Sequence, residues 1–340
     1  MKLFKLLTLS LLASSALFAS TNLADKAKKA GLTAIPVDKA ALSKLIDPNK
    51  TITPEIVELG KKLYFEPRLS KSGIISCNTC HNLGMGGVDG VPAAVGHNWT
   101  ANPHHLNSPT VYNAVFFGSQ FWDGRSPDLE DQAQGPMQAT PEMAAPQELV
   151  VKRVNSMPAY VKEFKKAYGK DVKIDFKTIT ASIGIFERTL VTPSAFDDFL
   201  NGDENALTKE EKEGLNLFID KGCTTCHGGI ALGGEMQAFA VTGKYKYADI
   251  GDFKGDKNGL VKAPTLRNIT QTAPYFHNGA IWSLAEAVKE MGRIQLGQDI
   301  SDEEAAKMVT FFKALEGRKP NVSYPQLPNS TATTPKPDFK

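Results

Sequence analysis

The sequence predicts an all-α fold in which two helical halves are joined by long connecting loops. Each half opens with a capped amphipathic helix that runs toward a Cys-x-x-Cys-His pentapeptide. Alternating apolar runs of the kind that form strands are few and short, whereas stretches rich in glycine and proline, such as residues 84–109, are typical of loops. At 340 residues the chain is long enough for two moderate hydrophobic cores.

A helix is expected before each pentapeptide. In the first half, Thr53 can cap a helix that has Pro54 at its first position. In the second half, Thr208 and Glu211 form a capping box. The apolar residues of these helices recur at helical spacing: Ile56, Leu59 and Leu63 in the first, Leu215 and Phe218 in the second.

A third helix is expected near the C-terminus. Ser301 and Glu304 form its capping box, and it ends near Gly317 and Pro320. The proline-rich tail at residues 321–340 is either an extended strap or a disordered end. The apolar residues of the third helix share one side: Ala305, Met308, Val309, Phe312 and Leu315.

The two pentapeptides contain all four cysteines of the chain and indicate covalent haem attachment. In this motif each cysteine thiol adds to a vinyl group of the porphyrin, and the adjacent histidine ligates the iron. A disulfide redox motif and a zinc ion shared by four sulfurs are alternatives, but neither requires a histidine after the second cysteine in both copies. We therefore expect two haem c groups, held by Cys77, Cys80 and His81 and by Cys223, Cys226 and His227.

The N-terminus has the pattern of a bacterial secretory signal. Two lysines precede an apolar run at residues 6–19 that is too short to span a bilayer and ends in small residues. We assign residues 1–19 to a signal peptide. The sequence does not decide between cleavage after Ala16 and cleavage after Ala19. We expect the mature chain in the periplasm. No other segment is apolar enough for a membrane span.

The charge of the chain argues against nucleic acid or an anionic membrane as a partner. The formal net charge of +2 falls to zero when the two lysines of the signal are removed. The propionates of two haems would then add negative charge. Nucleic acids and anionic membranes both bind strongly basic protein surfaces, which this charge balance does not provide.

The function of each haem depends on the residue opposite its motif histidine. An iron with two strong protein ligands transfers electrons, whereas one with an openable position can activate a small molecule. Met85 and Met236 lie too near their motifs to reach the other haem face, and Met308 fits the apolar side of the last helix. Spacing alone leaves the remaining candidates open: His97, His104, His105, His277, Met137, Met143, Met157 and Met291.

Longer motifs in both halves resemble those of the bacterial dihaem cytochrome c peroxidases. The similarity covers roughly residues 50–320, and the motifs are specific in combination. In the first half they are Leu63-Tyr64-Phe65, Cys77 to Gly87, Gly96-His97, Pro109-Thr110, Asn113-Ala114, Gln120 to Arg125 and Gly135-Pro136. In the second half they are Pro264 to Asn268, Thr272 to Gly279, Met291-Gly292 and Gln295 to Gly297.

The resemblance implies a cytochrome c-like helical domain around each covalently bound haem. We expect the peroxidatic domain at residues 20–200 and the electron-transfer domain at residues 201–320, followed by the tail at residues 321–340. The resemblance also implies that hydrogen peroxide is reduced to water with electrons from a small soluble cytochrome c or a similar carrier. A homodimer is expected on the same ground.

The ligands of both irons are implied by the resemblance as well. His81 resembles the proximal ligand of the peroxidatic haem, and His97 resembles its displaceable distal ligand. His227 and Met291 match the ligands of the electron-transfer haem. A soft methionine sulfur favours ferrous iron and raises the potential, which suits a haem that stores an electron.

Three further roles follow from the resemblance. Gln132 and Glu142 match the glutamine and glutamate of the peroxide pocket, where a carboxylate in a dry site moves a proton between the peroxide oxygens. Trp122 matches the tryptophan between the two haems. A calcium ion at the domain interface is implied at Asn107, Thr272 and Pro274, a set with few protein ligands that needs several waters.

Two other classes of function stay open. A MauG-like dihaem enzyme oxidises a partner protein, and it would be expected to carry tyrosine where this chain has Met291. A non-enzymatic dihaem electron carrier or redox sensor would not need Gln132 and Glu142 together in a pocket. Consumption of peroxide with reduced cytochrome c separates the peroxidase from such a carrier.

Overall fold

The computed structural model describes residues 22–340, and the signal peptide expected at residues 1–19 lies outside them. This part of the chain is mostly helical, and none of its helices is long and apolar enough to cross a membrane. Its α-helices are α1 (Leu23–Lys29), α2 (Lys39–Ile46), α3 (Pro54–Tyr64), α4 (Cys77–Cys80), α5 (Leu129–Gln132), α6 (Gln134–Gln138), α7 (Gln147–Asn155), α8 (Pro158–Tyr168), α9 (Phe176–Arg188), α10 (Ala195–Leu200), α11 (Lys209–Asp220), α12 (Leu284–Met291) and α13 (Asp302–Lys313).

The three helices expected from local signals are α3, α11 and α13. Thr53 caps α3 by accepting a hydrogen bond from the Ile56 N–H, and proline occupies the first turn. The capping boxes of α11 and α13 both form, because each N-cap hydroxyl and each glutamate three residues later bind the other residue's backbone N–H. These helix starts are confirmed.

The first half is built on the crossing of α3 and α9. Gly60 on α3 comes so close to α9 that an added Cβ would lie 2.0 Å from the Ser182 carbonyl oxygen. This close approach buries Leu63 and Phe186 in one hydrophobic core, to which α7 and α8 also contribute. A side chain at position 60 would separate the two helices.

The second half repeats this crossing with α11 and α13. An added Cβ on Gly214 would lie 2.1 Å from the Lys307 carbonyl oxygen. Leu215, Phe218 and Phe311 form the centre of the second core. In both halves, the helix that leads to the pentapeptide is therefore fixed against a later helix through a glycine.

Each end of the described chain packs on the opposite half. Helix α1 adds Ala24 and Ala27 to the second core, and the Ile35 N–H donates to the Asp197 carboxylate at 2.7 Å. Residues 321–340 run without helix or strand over the first half, where Val322 and Leu327 pack on its core. The tail is thus a strap rather than a free end.

A buried arginine binds the strap. Arg153 on α7 is 1% exposed. Its guanidinium donates to carbonyl groups of both the first half and the strap, which belong to Arg68, Ser70, Lys71, Pro335 and Lys336. Near the end of the strap, Asn98 Nδ2 donates to the Phe339 carbonyl at 2.8 Å. The strap therefore reaches the residue next to His97.

A short antiparallel sheet departs from the all-α expectation. Strand β1 (Met236–Ala238) pairs with β2 (Leu260–Lys262), with Gln237 opposite Val261. Three residues per strand are too few for an alternating apolar pattern to be visible in the sequence. The fold is therefore mostly helical with one two-stranded sheet, and this sheet forms a wall of the cavity in the second half.

Candidate active site

A large cavity lies in the second half. It encloses about 1210 Å³, its open mouth included. Cys223, Cys226 and His227 line it, as do Met291 and Trp122. Most of its other walls are apolar, among them Phe218, Phe239, Leu266, Leu284 and Phe312. This size and this lining fit a large apolar cofactor whose iron takes a histidine and a methionine as ligands.

His227 is oriented by its own loop. Its Nδ1 lies 3.2 Å from the Leu232 carbonyl oxygen, which leaves Nε2 for a metal. Burial lowers the pKa of His227. The ring is therefore neutral near neutral pH, the form that ligates iron.

A buried ion pair, which the sequence did not predict, supports this loop. Arg267 donates to both carboxylate oxygens of Asp197 at 2.8 Å, and neither side chain is exposed. Arg267 Nε also donates to the Ile230 carbonyl at 2.6 Å. The pair thus holds the turn that follows His227. No local pattern pointed to it, because the two residues come from distant segments.

Among the methionines that spacing left open, Met291 is the one that lines this cavity. It ends α12 and is followed directly by a π-helical turn, Gly292–Leu296, a feature frequent at functional sites. Gln295 in this turn accepts from the Ala240 N–H at 2.5 Å and donates to the Ala238 carbonyl at 2.9 Å, so the turn is tied to β1. The other open methionines are buried in the first core: Met137, Met143 and Met157.

His81 in the first half is oriented in the same way as His227. Its Nδ1 lies 2.8 Å from the Pro109 carbonyl oxygen, and the Tyr64 hydroxyl donates to the His81 carbonyl at 2.5 Å. Burial lowers the pKa of the His81 ring. Both motif histidines are therefore neutral rings with Nε2 left for iron.

The surroundings of the four cysteines argue against the redox and zinc alternatives. None of them forms a disulfide within the described chain. Burial raises the pKa of Cys80 to about 12 and that of Cys223 to about 11, whereas a redox-active thiol has a lowered pKa. The two motifs lie in different halves, and across residues 22–340 the four sulfurs do not converge on one metal site.

His97 and Glu142 are held next to each other. The backbone N–H of His97 donates to the backbone carbonyl of Glu142 at 2.6 Å. Gly96 permits this approach, because an added Cβ would lie 2.1 Å from the Pro141 carbonyl oxygen. His97 is buried, and among the described residues its Nδ1 has no hydrogen-bond partner. An orphaned ring nitrogen fits a histidine whose surroundings are completed by a bound group.

Glu142 is half-buried near the first pentapeptide. Burial raises its pKa, and the nearby Arg125 partly offsets this rise. The pKa of Cys80 is raised first by burial, then by the charge of Asp89, and then by the charge of Glu142, which places Glu142 near this cysteine. Gln132 ends α5 and is half-buried, but no hydrogen bond within residues 22–340 joins it to Glu142 or His97.

Trp122 connects the two halves. Its Nε1 donates to the Asn107 carbonyl at 2.9 Å, while the residue lines the cavity of the second half. The Asn107 N–H donates to the His277 carbonyl at 2.8 Å, and the His277 ring lies edge-on to Trp122 with centroids 6.4 Å apart. Thr272 and Pro274 precede His277 in the same segment, although no hydrogen bond in the described chain joins either to Asn107.

Comparisons with known proteins match both halves. The family profile described as di-haem cytochrome c peroxidase matches residues 54–205, and the profile described as cytochrome c matches residues 211–316. The chain is 47% identical to the cytochrome c551 peroxidase of Pseudomonas aeruginosa, over 82% of this chain and 84% of the relative. It is 46% identical to the cytochrome c551 peroxidase of Nitrosomonas europaea, over 87% of this chain and 91% of the relative.

A solved structure described as a MauG-like protein associated with microbial copper homeostasis has the same fold. It superposes with a TM-score of 0.68 at 26% identity, over 78% of this chain and 90% of that one. Fold and sites thus define a two-haem protein of the cytochrome c type. The chain belongs to the di-haem cytochrome c peroxidase family. It is a peroxidase whose substrate is hydrogen peroxide.

Proposed function

We propose that this chain is a periplasmic peroxidase that reduces hydrogen peroxide to water in its first half, with electrons that enter through its second half. The observation that carries this proposal is the 2.6 Å hydrogen bond that holds His97 beside Glu142. It is a backbone hydrogen bond that keeps the two residues adjacent, with Glu142 proposed to move protons and His97 proposed to leave the iron of the first half. When bound, two haem c groups supply the iron and the electrons for this reduction. Their attachment residues are Cys77, Cys80, Cys223 and Cys226.

Glu142 acts first as the base and then as the acid in this proposal. Cleavage of the peroxide bond needs a proton to move from one oxygen to the other, which then leaves as water. Burial raises the pKa of Glu142 and brings it closer to the working pH, where both proton uptake and proton release are efficient. Gln132, half-buried on α5, is proposed as a neutral hydrogen-bonding neighbour of the peroxide.

His97 is the proposed gate of the first site. Only a short 3-10 turn at His97–Trp99 shapes its loop, so the ring can move without unfolding a helix. Asn98 and Trp99 both have φ near 57°, a strained backbone that small movements can relax. In this proposal His97 would ligate a haem iron held in the first half of the fully oxidised protein, and it would leave that iron when the second half is reduced.

His227 and Met291 are the proposed ligands in the second half, with His81 as the proximal ligand in the first. The Met291 sulfur would favour the reduced state of a haem iron bound there, so the second half would be suited to store an electron. Trp122 lines that cavity while its indole N–H binds Asn107 of the first half. This position between the sites supports a role in electron transfer. The proposed donor is a small soluble cytochrome c.

We also propose one calcium ion where the two halves meet, together with a homodimeric assembly. Asn107 donates from its N–H to His277 and from Nδ2 to the Val91 carbonyl at 2.8 Å, so its side-chain oxygen is the atom available to a cation. The carbonyl oxygens of Thr272 and Pro274 complete the protein ligands. Calcium takes 6–8 oxygen ligands, so most of the shell would be water.

No specific observation favours the two alternative functions. A MauG-like protein oxidiser would be expected to have tyrosine at position 291, whereas a methionine lines the cavity here. A simple electron carrier has no use for a carboxyl group such as that of Glu142, whose pKa is raised by burial. The peroxidase therefore remains the function that the sites support best.

The test uses the full chain, produced in a host that exports it and attaches haem c. Peroxide consumption is measured with a reduced small soluble cytochrome c as donor. A peroxidase oxidises two donor molecules for each peroxide, whereas a carrier gives no peroxide-dependent oxidation above background, and a MauG-like enzyme requires a protein substrate. Fractionation of the same cells tests the location, because the mature chain should appear in the periplasm.

A further inference from the structure

A buried lysine lines the cavity of the second half and has no acidic partner among residues 22–340. Lys262 ends β2, is 3% exposed and contributes to the wall of the cavity. No carboxylate of residues 22–340 lies within 4.0 Å of its Nζ, and the nearby Asp123 pairs with Arg125 instead, at 2.8 Å. A buried charge without a counter-charge is strongly disfavoured.

The neighbours of the Lys262 ammonium belong to the first half. Nζ donates to the Ser119 carbonyl at 3.2 Å and lies 4.9 Å from the centre of the Phe117 ring. These contacts satisfy part of its hydrogen-bonding capacity but supply no negative charge. Burial accordingly lowers the pKa of Lys262 to about 7. The charge of Asp123 acts against this change, and the charge of Arg125 adds to it.

The backbone of Lys262 is tied to the residue between the two sites. Its N–H donates to the Trp122 carbonyl at 2.8 Å. Lys262 therefore occupies the place where the cavity of the second half meets the loop that carries Trp122. Both residues line the cavity, so a group bound there would contact Lys262 and Trp122.

We propose that Lys262 is a positioning residue whose ammonium pairs with a propionate of the haem in the second half. Propionates are the anionic groups of haem, and the cavity otherwise offers mostly apolar walls. The pair supplies the counter-charge that the protein lacks at this point. It would also hold a haem bound there close to Trp122, which lines the same cavity. The proposal rests on the proposed function in so far as it places a haem in this cavity.

The pair has a consequence for the potential of the second haem. Reduction of the iron adds one negative charge, and a nearby ammonium stabilises that reduced state through Coulomb attraction in a low-dielectric site. The lysine thus acts in the same direction as the Met291 sulfur. Loss of its charge should shift the midpoint potential downward.

The test compares three variants of the holoenzyme. Lys262→Met removes the charge at similar length, Lys262→Arg retains it, and Lys257→Met removes an exposed charge from the turn before β2. Potentiometric titrations followed at the near-infrared band of the methionine-ligated haem give its midpoint. Resonance Raman spectra give the propionate bending frequency, which a merely structural lysine would not change.

We expect Lys262→Met to lower that midpoint and shift the propionate frequency, with little change in the other two variants. In the unaltered enzyme, the same frequency should shift in D₂O because the ammonium protons exchange, and this measurement needs no variant. An unchanged midpoint and frequency in Lys262→Met, or a shift confined to the other haem, overturns the proposal. The turnover of the unaltered enzyme tests the proposed function separately. If the unaltered enzyme turns over normally but Lys262→Met leaves the midpoint unchanged, only the role of Lys262 is overturned.

Discussion

Replacing Arg267 tests the buried ion pair that supports the loop after His227. Arg267→Met removes both 2.8 Å hydrogen bonds to Asp197 but keeps a side chain of similar length. The carboxylate stays buried, with the N–H groups of Ile35 and Ser194 as its remaining backbone donors. Removing one partner of a buried pair leaves an uncompensated charge, which costs about 3–5 kcal/mol of the free energy of unfolding.

This cost converts to a fall in Tm of about 6–20 °C, since 1 kcal/mol corresponds to about 2–4 °C in chains larger than small single domains. Arg318→Met is the matched control. Arg318 pairs with the neighbouring Asp198, but its side chain is 60% exposed, so its loss should cost at most about 1 kcal/mol. Thermal melts of the holoenzyme followed by circular dichroism measure both variants.

Equal Tm values for Arg267→Met and Arg318→Met would refute this reasoning, because the buried charge would then cost no more than an exposed one. A second substitution sharpens the test. Adding Asp197→Leu to Arg267→Met removes the stranded carboxylate and should recover part of the lost stability. No recovery would mean that packing of the arginine, or the hydrogen bonds that Asp197 accepts from Ile35 and Ser194, outweighs the stranded charge.

Three other variants test separate features. Met291→His should lower the midpoint potential of one haem and abolish its sulfur-to-iron charge-transfer band in the near infrared, and survival of that band would exclude Met291 as a ligand. Arg153→Met should lower the free energy of unfolding by about 2–4 kcal/mol and make the strap sensitive to limited proteolysis. The control Lys152→Met, at an exposed position, should do neither. Equal proteolysis of the two variants would contradict the role of Arg153. Burial, followed by the neighbouring Glu130, raises the pKa of Glu187 to about 8. Between about pH 5 and 8 the native state therefore keeps a proton that the unfolded state has lost, and stability falls as pH rises. Glu187→Gln should flatten that fall in Tm, and an unchanged slope would show that Glu187 does not cause it.

The features predicted correctly from the sequence depend on residues close together in the chain. A capping box acts over three residues, so α11 and α13 begin where the pattern indicates. The pentapeptides are equally local, and in both of them the histidine is half-buried with its Nδ1 within 3.2 Å of a backbone carbonyl oxygen. Spacing left four distant methionines open, however, because nothing local shows which one reaches the cavity. The resemblance selected Met291, and the structure places it there.

The features that could not be predicted depend on contacts between distant segments. Helix α1 packs on the second half and the strap on the first, although each lies nearer in sequence to the other half. A local pattern would assign three charged residues to the surface: Asp197 and Arg267, which pair, and Lys262, which has no acidic partner among residues 22–340. Only the folded backbone shows that they are buried. The two strands were missed because each has only three residues.

The most direct test of the proposed mechanism is the turnover of Glu142→Gln with hydrogen peroxide and a reduced small cytochrome c. The amide has nearly the same shape but cannot accept the peroxide proton. We expect both haem spectra to be retained and turnover to fall by about 10² to 10⁴. Glu148→Gln, at an exposed position on the following helix, should turn over normally. Near-normal turnover of Glu142→Gln would contradict the role of this carboxyl group in peroxide reduction.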